Sequence, residues 1–428
     1  MMSADVVRPP GSTGLGAAAT VPAGARVRLR RLSQRRDGDG WVIGRVDTGD
    51  FIAVPDVGQR AITLLGQGHA VGEVAALLRA ETGSAFAVGS FVAALDDLGF
   101  VEAVDGETRA DVAIPRPSLP WLRPGHVRWL LHPVVPAIVL GAILAIVILL
   151  AGHPDLVPSY HMLVWSRRAG LVLAVNAAIA WVLILVHELA HLAMARAAGA
   201  PARITISTRL QFMVAQTDVS GVWGAPRRQR MAVYLAGMGI DAVLVAAFLL
   251  VLVLASPHGL ARQLLCVAVA ETALALPAQF MVFMRTDFYF VLQDLTRCAN
   301  LYADGSAYLR HIARRVTRRG TEHNPDPSQD YPPSQRRAVR VYSAVLLVGT
   351  LVCVGVEFAV SLPALIVLIA RTVEELGTTV AGTLDGAVLI AVMLAWQVLW
   401  CARWWARHRG QAMSVARKLR KGGTRHGD

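Results

Sequence analysis

The sequence predicts a mainly α-helical, polytopic membrane protein of about six transmembrane helices, with a small N-terminal winged-helix-like α+β domain. Three observations carry that expectation. Hydrophobic residues make up 54% of the 428-residue chain and charged residues 17%, an apolar excess over ordinary soluble domains. The excess is gathered into runs, several of them near the roughly 20 residues that one helix needs to cross a bilayer core. The region ahead of those runs has another character, with short alternating stretches, helical periodicity and turn residues between them.

Taken in order, residues 1–40 are rich in Ala, Gly and Pro and then in Arg, and read as a disordered basic N-terminus with no compact apolar secretory stretch. Residues 41–105 read as the small domain. Trp41 to Val54 alternates and ends at Pro55, as a short strand pair would. Arg60 to Leu65, Val71 to Ala80 and Ser90 to Leu98 carry helical spacing, and Gly99 to Ala103 closes the unit as a last strand. Residues 106–133, with their prolines and tryptophans, form a linker approaching the membrane.

Six apolar runs follow, at 134–151, 170–195, 231–255, 261–283, 342–369 and 383–402. The first four make up region 134–283. Region 284–341 is a basic segment whose later part, with Arg314, Arg315, Arg318 and Arg319, is expected to be a mobile linker beside anionic head groups. Region 342–404 holds the last two runs, and 405–428 is a basic tail. Arg196, Arg203, Arg209, Arg227, Arg228 and Arg230 crowd the loop after the second run, whereas 152–169, 256–260 and 370–382 carry few positive charges. That asymmetry predicts a multi-pass protein of the cell membrane with both termini cytoplasmic.

The net charge of +12 is accounted for by such loops. No basic stripe interleaved with aromatics points to nucleic acid. Cys266, Cys298, Cys353 and Cys401 are widely separated, so neither a disulfide framework nor a thiolate metal site is indicated.

The second run ends in VHELAHLAMA, Val186 to Ala195. The HExxH spacing puts His187 and His191 one turn apart on one helix face, where both imidazoles can reach a single metal ion. Glu188 sits beside them, placed to act on a water molecule as a catalytic base. Two histidines and a glutamate in an apolar span are costly unless a partner or cavity receives them. A zinc site with one open position needs a third protein ligand. Asp241, Glu271 and Asp287 are candidates near the matching ends of other runs, and Asp294 is a rival further on. With alternating spans, Asp287 falls at nearly the depth of the HELAH turn. Asp241 is also a candidate to orient a ligating histidine from behind. Residues 204–224 mix β-branched residues with turn formers and read either as a hairpin at the membrane face or as an ordered loop.

HELAH, YLAGMGIDAVLVA (Tyr234 to Ala246) and TDFYFVLQDL continuing to Leu301 together resemble the site-2-protease superfamily of intramembrane metalloproteases, and within it the peptide zinc metalloproteases. The resemblance covers roughly residues 180–302. It implies zinc held by His187, His191 and Asp287, with Glu188 catalytic. The chain departs from the family pattern at three places. Phe288 follows the aspartate where the family usually has glycine, Gln279 and Phe280 stand near its Asn-Pro, and Asp241 replaces the asparagine of its third span. The stretch FIAVPDVGQRAITLLGQGHAVGEVAALL, with AALDDLGFVEAV, resembles PqqD-like domains that hold leader peptides. The expected function is therefore zinc-dependent hydrolysis of a peptide or membrane-associated protein, in maturation of a ribosomally made peptide. Membrane lipids surround it, and a peptide exporter or peptide-modifying enzyme is the implied partner. The alternative is a catalytically inactive membrane protein that binds or helps export a peptide through its N-terminal domain. A zinc transporter would need ligands spread over several spans, and one cluster is present.

Overall fold

The computed structural model describes residues 20–38, 40–114, 116–209, 212–298, 300–317, 326–329, 331–356, 358–359, 362–375 and 379–422. It is a mainly α-helical polytopic protein carrying a small N-terminal domain built on two short sheets.

In that domain β1 (Val27–Leu29), β2 (Ser33–Asp37), β3 (Gly40–Gly44) and β4 (Phe51–Val54) precede three helices, α1 (Asp56–Gly66), α2 (Val71–Thr82) and α3 (Val88–Asp97), and then β5 (Val101–Val104) and β6 (Glu107–Thr108). The strands pair antiparallel in the orders β1-β5-β6 and β2-β3-β4. Ile43, Ile52, Leu64, Leu65, Val74, Val92 and Phe100 form its buried core. The expected boundary at residue 41 needs correction, because β1 and β2 lie inside the stretch read as disordered. Val27 is buried opposite Val104 while Arg28 next to it is exposed, so alternation puts one apolar residue inward and hides the strand among arginines. Residues 1–19 lie outside the described residues.

The expected linker contains the short helix α4 (Pro124–Val127), which packs against the metal-motif helix, and leads into α5 (Val134–Gly152). After it come α6 (Ala169–Ala197), the hairpin β7 (Arg203–Arg209) and β8 (Phe212–Asp218), and helices α7 (Arg227–Leu254) and α8 (Gly259–Ala278). Next are α9 (Asp287–Thr296), α10 (Leu301–Val316), α11 (Pro333–Val356), α12 (Leu362–Glu375) and α13 (Val380–Gly422). Of the two readings of 204–224, the hairpin is the one observed.

Among the described residues six helices are long and apolar enough to cross a membrane: α5, α6, α7, α8, α11 and the Val380–Ala406 part of α13. Helix α5 shows why lipid is the required surroundings. Ile138, Leu140, Leu144 and Ile148 are each exposed by half or more, and no residue of α5 is buried, so the apolar face of α5 turned away from α7 has no cover among the described residues. Helix α7 is the most enclosed and packs against α5, α6, α8 and α9.

Two further expectations are corrected. The fifth run is divided, with α11 beginning at Pro333 and α12 a separate helix. The sixth run holds as the apolar part Val380–Ala406 of α13, which continues through the basic tail to Gly422. The expected mobile linker at 303–341 is not loose along its length: α10 packs on α11, and Val339 of α11 shares a buried cluster with Tyr289, Leu301 and Tyr342. Arg318 and Arg319 lie outside the described residues.

Candidate metal centre

Helix α6 has 29 residues, and its buried end carries the motif, with His187, Glu188 and His191 only 7–8% exposed. Helix α7 crosses it so closely that a Cβ on Gly237 would collide with both imidazoles, so this position accepts no side chain. That approach fixes the outer nitrogens. His187 Nδ1 lies 2.8 Å from Asp241 Oδ2, and His191 Nδ1 lies 2.7 Å from the carbonyl oxygen of Val233. A carbonyl oxygen only accepts, so the His191 proton sits on Nδ1.

With their Nδ1 atoms committed to α7, both histidines turn Nε2 toward one another at 3.2 Å. Asp287 at the first turn of α9 completes the cluster. Its Oδ2 is 2.9 Å from His187 Nε2 and 3.0 Å from His191 Nε2. Burial alone would raise the Asp287 carboxyl, but the adjacent His191 and His187 outweigh it and hold it well below the usual carboxylate range. Three lone-pair atoms therefore converge within 4.8 Å of one another. Neutral imidazoles tied at Nδ1 leave nothing to separate these lone pairs, so a proton on an Nε2 or a cation among them is required. Two imidazole nitrogens and one carboxylate oxygen form a donor set that fits zinc.

The departures noted in the sequence are accommodated together. The Gln279 side-chain oxygen accepts the Asp287 backbone N–H at 3.2 Å, and the Gln279 carbonyl accepts the Thr286 hydroxyl at 2.5 Å. Phe288 packs on Phe280, with ring centroids 4.7 Å apart. Asp241 is the acceptor at His187. Arg285, with a left-handed φ of 58°, lies over the rings of Tyr289 and Tyr302.

The remaining candidates separate. Asp294 receives Arg230 through two hydrogen bonds of 2.6 and 2.9 Å, so it is committed to an ion pair away from the cluster. Glu271 lines a different cavity. Thr217 on β8 is a residue that the sequence reading missed. Its hydroxyl reaches Glu188 Oε2 at 2.6 Å and the Glu188 carbonyl oxygen at 3.0 Å. A lone threonine in a polar, β-branched stretch gives no signal of this, because the contact arises only when the hairpin folds back onto α6.

A cavity of about 150 Å³ opens at the cluster, walled by His187, Glu188, His191, Asp287 and residues 214–217 of β8. Among the described residues β8 has a strand only on its β7 side, so its other edge runs along this cavity and α6. Comparison with known proteins finds no matching family model, no matching curated protein and no matching solved structure.

Proposed function

We propose that this chain is a membrane-embedded zinc endopeptidase that hydrolyses a peptide or membrane-associated protein near the cytoplasmic face. The observation that carries the reading is the convergence of His187 Nε2, His191 Nε2 and Asp287 Oδ2, with both Nδ1 atoms tied to α7. These three would hold the ion and leave its fourth position toward the cavity. Bound there, zinc supplies Lewis acidity toward a peptide carbonyl and a water molecule.

Glu188 stands beside the three ligand atoms and is not one of them. The Thr217 hydroxyl occupies Oε2, which orients the carboxylate and leaves Oε1 to take the proton of an attacking water. The same carboxyl would return that proton to the departing amide nitrogen. An extended substrate pairing with the open edge of β8 would lay its backbone across Glu188. The arginines between α6 and α7 favour a cytoplasmic position for the hairpin and for both termini, which reporter fusions in the 196–230 loop would test. The likeness of the N-terminal domain to leader-peptide binders is the support for a ribosomally made peptide as substrate.

The test is metal content of the detergent-purified protein beside activity on candidate peptides. About one zinc per chain is expected in the wild type and in Glu188→Gln, and its loss in His187→Ala and Asp287→Ala. Turnover should fall by roughly 10²- to 10⁴-fold in Glu188→Gln with zinc retained. Phe288 after Asp287 favours a second reading, a catalytically silent peptide-binding protein. That reading predicts no zinc in the wild type after reconstitution, and function that survives His187→Ala.

A further inference from the structure

A second cavity, of about 1000 Å³, lies between α6 and α13, with α8 behind it. It is a slot built between helices that touch. At one end the Asp385 carboxylate of α13 accepts the backbone N–H groups of Gly170 and Leu171 at 3.0 and 2.9 Å, fastening it to the first turn of α6. Deeper in, the rings of Trp181 and Trp396 meet with centroids 6.1 Å apart. The walls between are apolar, with Ala177, Leu389 and Trp165 among them. Asn176 is tied to the loop before α6, accepting from Trp165 Nε1 at 3.1 Å and donating to the Leu163 carbonyl at 2.9 Å.

Glu271 of α8 is the exception. It lines this slot and is half-buried, with no hydrogen-bond or ion-pair partner among the described residues. It stands twelve positions after Gly259, the first residue of α8, about 18 Å along the helix axis. Arg167, the cationic residue of the slot, is exposed in the loop before α6. A carboxylate at that depth is costly without a counter-charge or a donor, and an apolar slot is where one would be supplied from outside the chain.

We propose that the slot binds an apolar peptide segment carrying one cationic side chain, which Glu271 recognises. Charge complementarity selects the cation, and the apolar walls select the segment that bears it. Ala180 and Ile184 of the slot lie on the α6 face that continues to His187 and His191, at spacings of four, three and four residues. A segment seated in the slot therefore leads its chain toward the metal cluster, a last link that rests on the peptidase reading. Binding itself does not need the metal.

The experiment uses the full-length protein in lipid nanodiscs and a labelled leucine–alanine peptide with one central lysine, beside its norleucine twin. The lysine peptide should bind more tightly, by on the order of tenfold. Glu271→Gln should erase that difference and leave the norleucine peptide unchanged, while Leu389→Trp, which fills the slot, should weaken both. His187→Ala should alter none of these affinities, so loss of the peptidase reading and loss of this one are told apart. Equal binding of the two peptides to the wild type would overturn the proposal, as would a lysine preference that persists in Glu271→Gln or undiminished binding to Leu389→Trp. Absence of saturable binding by either peptide would also overturn it and assign the slot to lipid chains.

Discussion

A methyl group at Gly237 would enter the space held by the His187 and His191 rings. This single hydrogen side chain lets α7 come near enough for Asp241 and the Val233 carbonyl to claim the two Nδ1 atoms. Gly237→Ala is therefore expected to displace the imidazoles while the helices stay packed, weakening zinc binding by roughly 10- to 100-fold. Competition with a chelator of known affinity measures this, and an unchanged affinity would separate the glycine from the centre. At this scale the HELAH residues were legible because their spacing is a property of one helix. Asp287 could be reached by matching depths. Thr217 could not, since its link to Glu188 spans 29 positions and depends on a hairpin fold.

Among the elements, α9 matters most to the cluster because it is short and carries Asp287 at its first turn. Besides its apolar packing, polar contacts tie it down at both ends. Gln279 receives the Asp287 N–H at the start, and two turns later the buried pair of Arg230 and Asp294 ties α9 to the first turn of α7. The Arg230 and Asp294 side chains are only 2% and 4% exposed, so removing Asp294 strands the Arg230 guanidinium, whereas Asp294 also has Arg227 at 3.3 Å. Asp294→Ala should cost about 3–5 kcal/mol, read from denaturant unfolding in detergent, and should lower zinc occupancy by loosening α9. Arg230→Lys should also weaken the pair, because an ammonium cannot reproduce the two-pronged contact. Hydropathy located most of these elements and misjudged their ends. It merged α11 with α12 because both are apolar, and it found only the apolar part of α13, because charge ends an apolar run without ending a helix.

Across the whole molecule, the N-terminal domain is seated on the end of the helical core that carries the His187, His191 and Asp287 cluster. Val42 and Phe51 from its β2-β3-β4 sheet share a buried cluster with Leu192, Met194, Trp223 and Tyr234. The joint is close-packed, with Gly49 against Ser220 and Gly221 against the Val46 carbonyl, directly after β8. The joint thus sets the β2-β3-β4 sheet beside the strand that lines the cavity. Phe51 is 3% exposed at this joint, so Phe51→Ala should destabilise the assembly by about 3–5 kcal/mol. Calorimetry should then show the domain melting ahead of the core, and a single unshifted transition would show that the joint does not couple them.

The sequence by itself determined what is local: the apolar runs that call for lipid, the helical periodicity of the small domain, and two histidines with a glutamate on one face of α6. Those features follow from neighbours along the chain, where backbone geometry alone decides which side chains share a face. Tertiary structure decided the rest. It brought Asp241 and Asp287 to His187 from 54 and 100 positions away, set Gly237 against the imidazoles, and left Glu271 facing a slot with no partner of its own among the described residues. Such meetings depend on how helices cross and how deep each one sits. That is a matter of packing between elements, and no spacing within a single run records it.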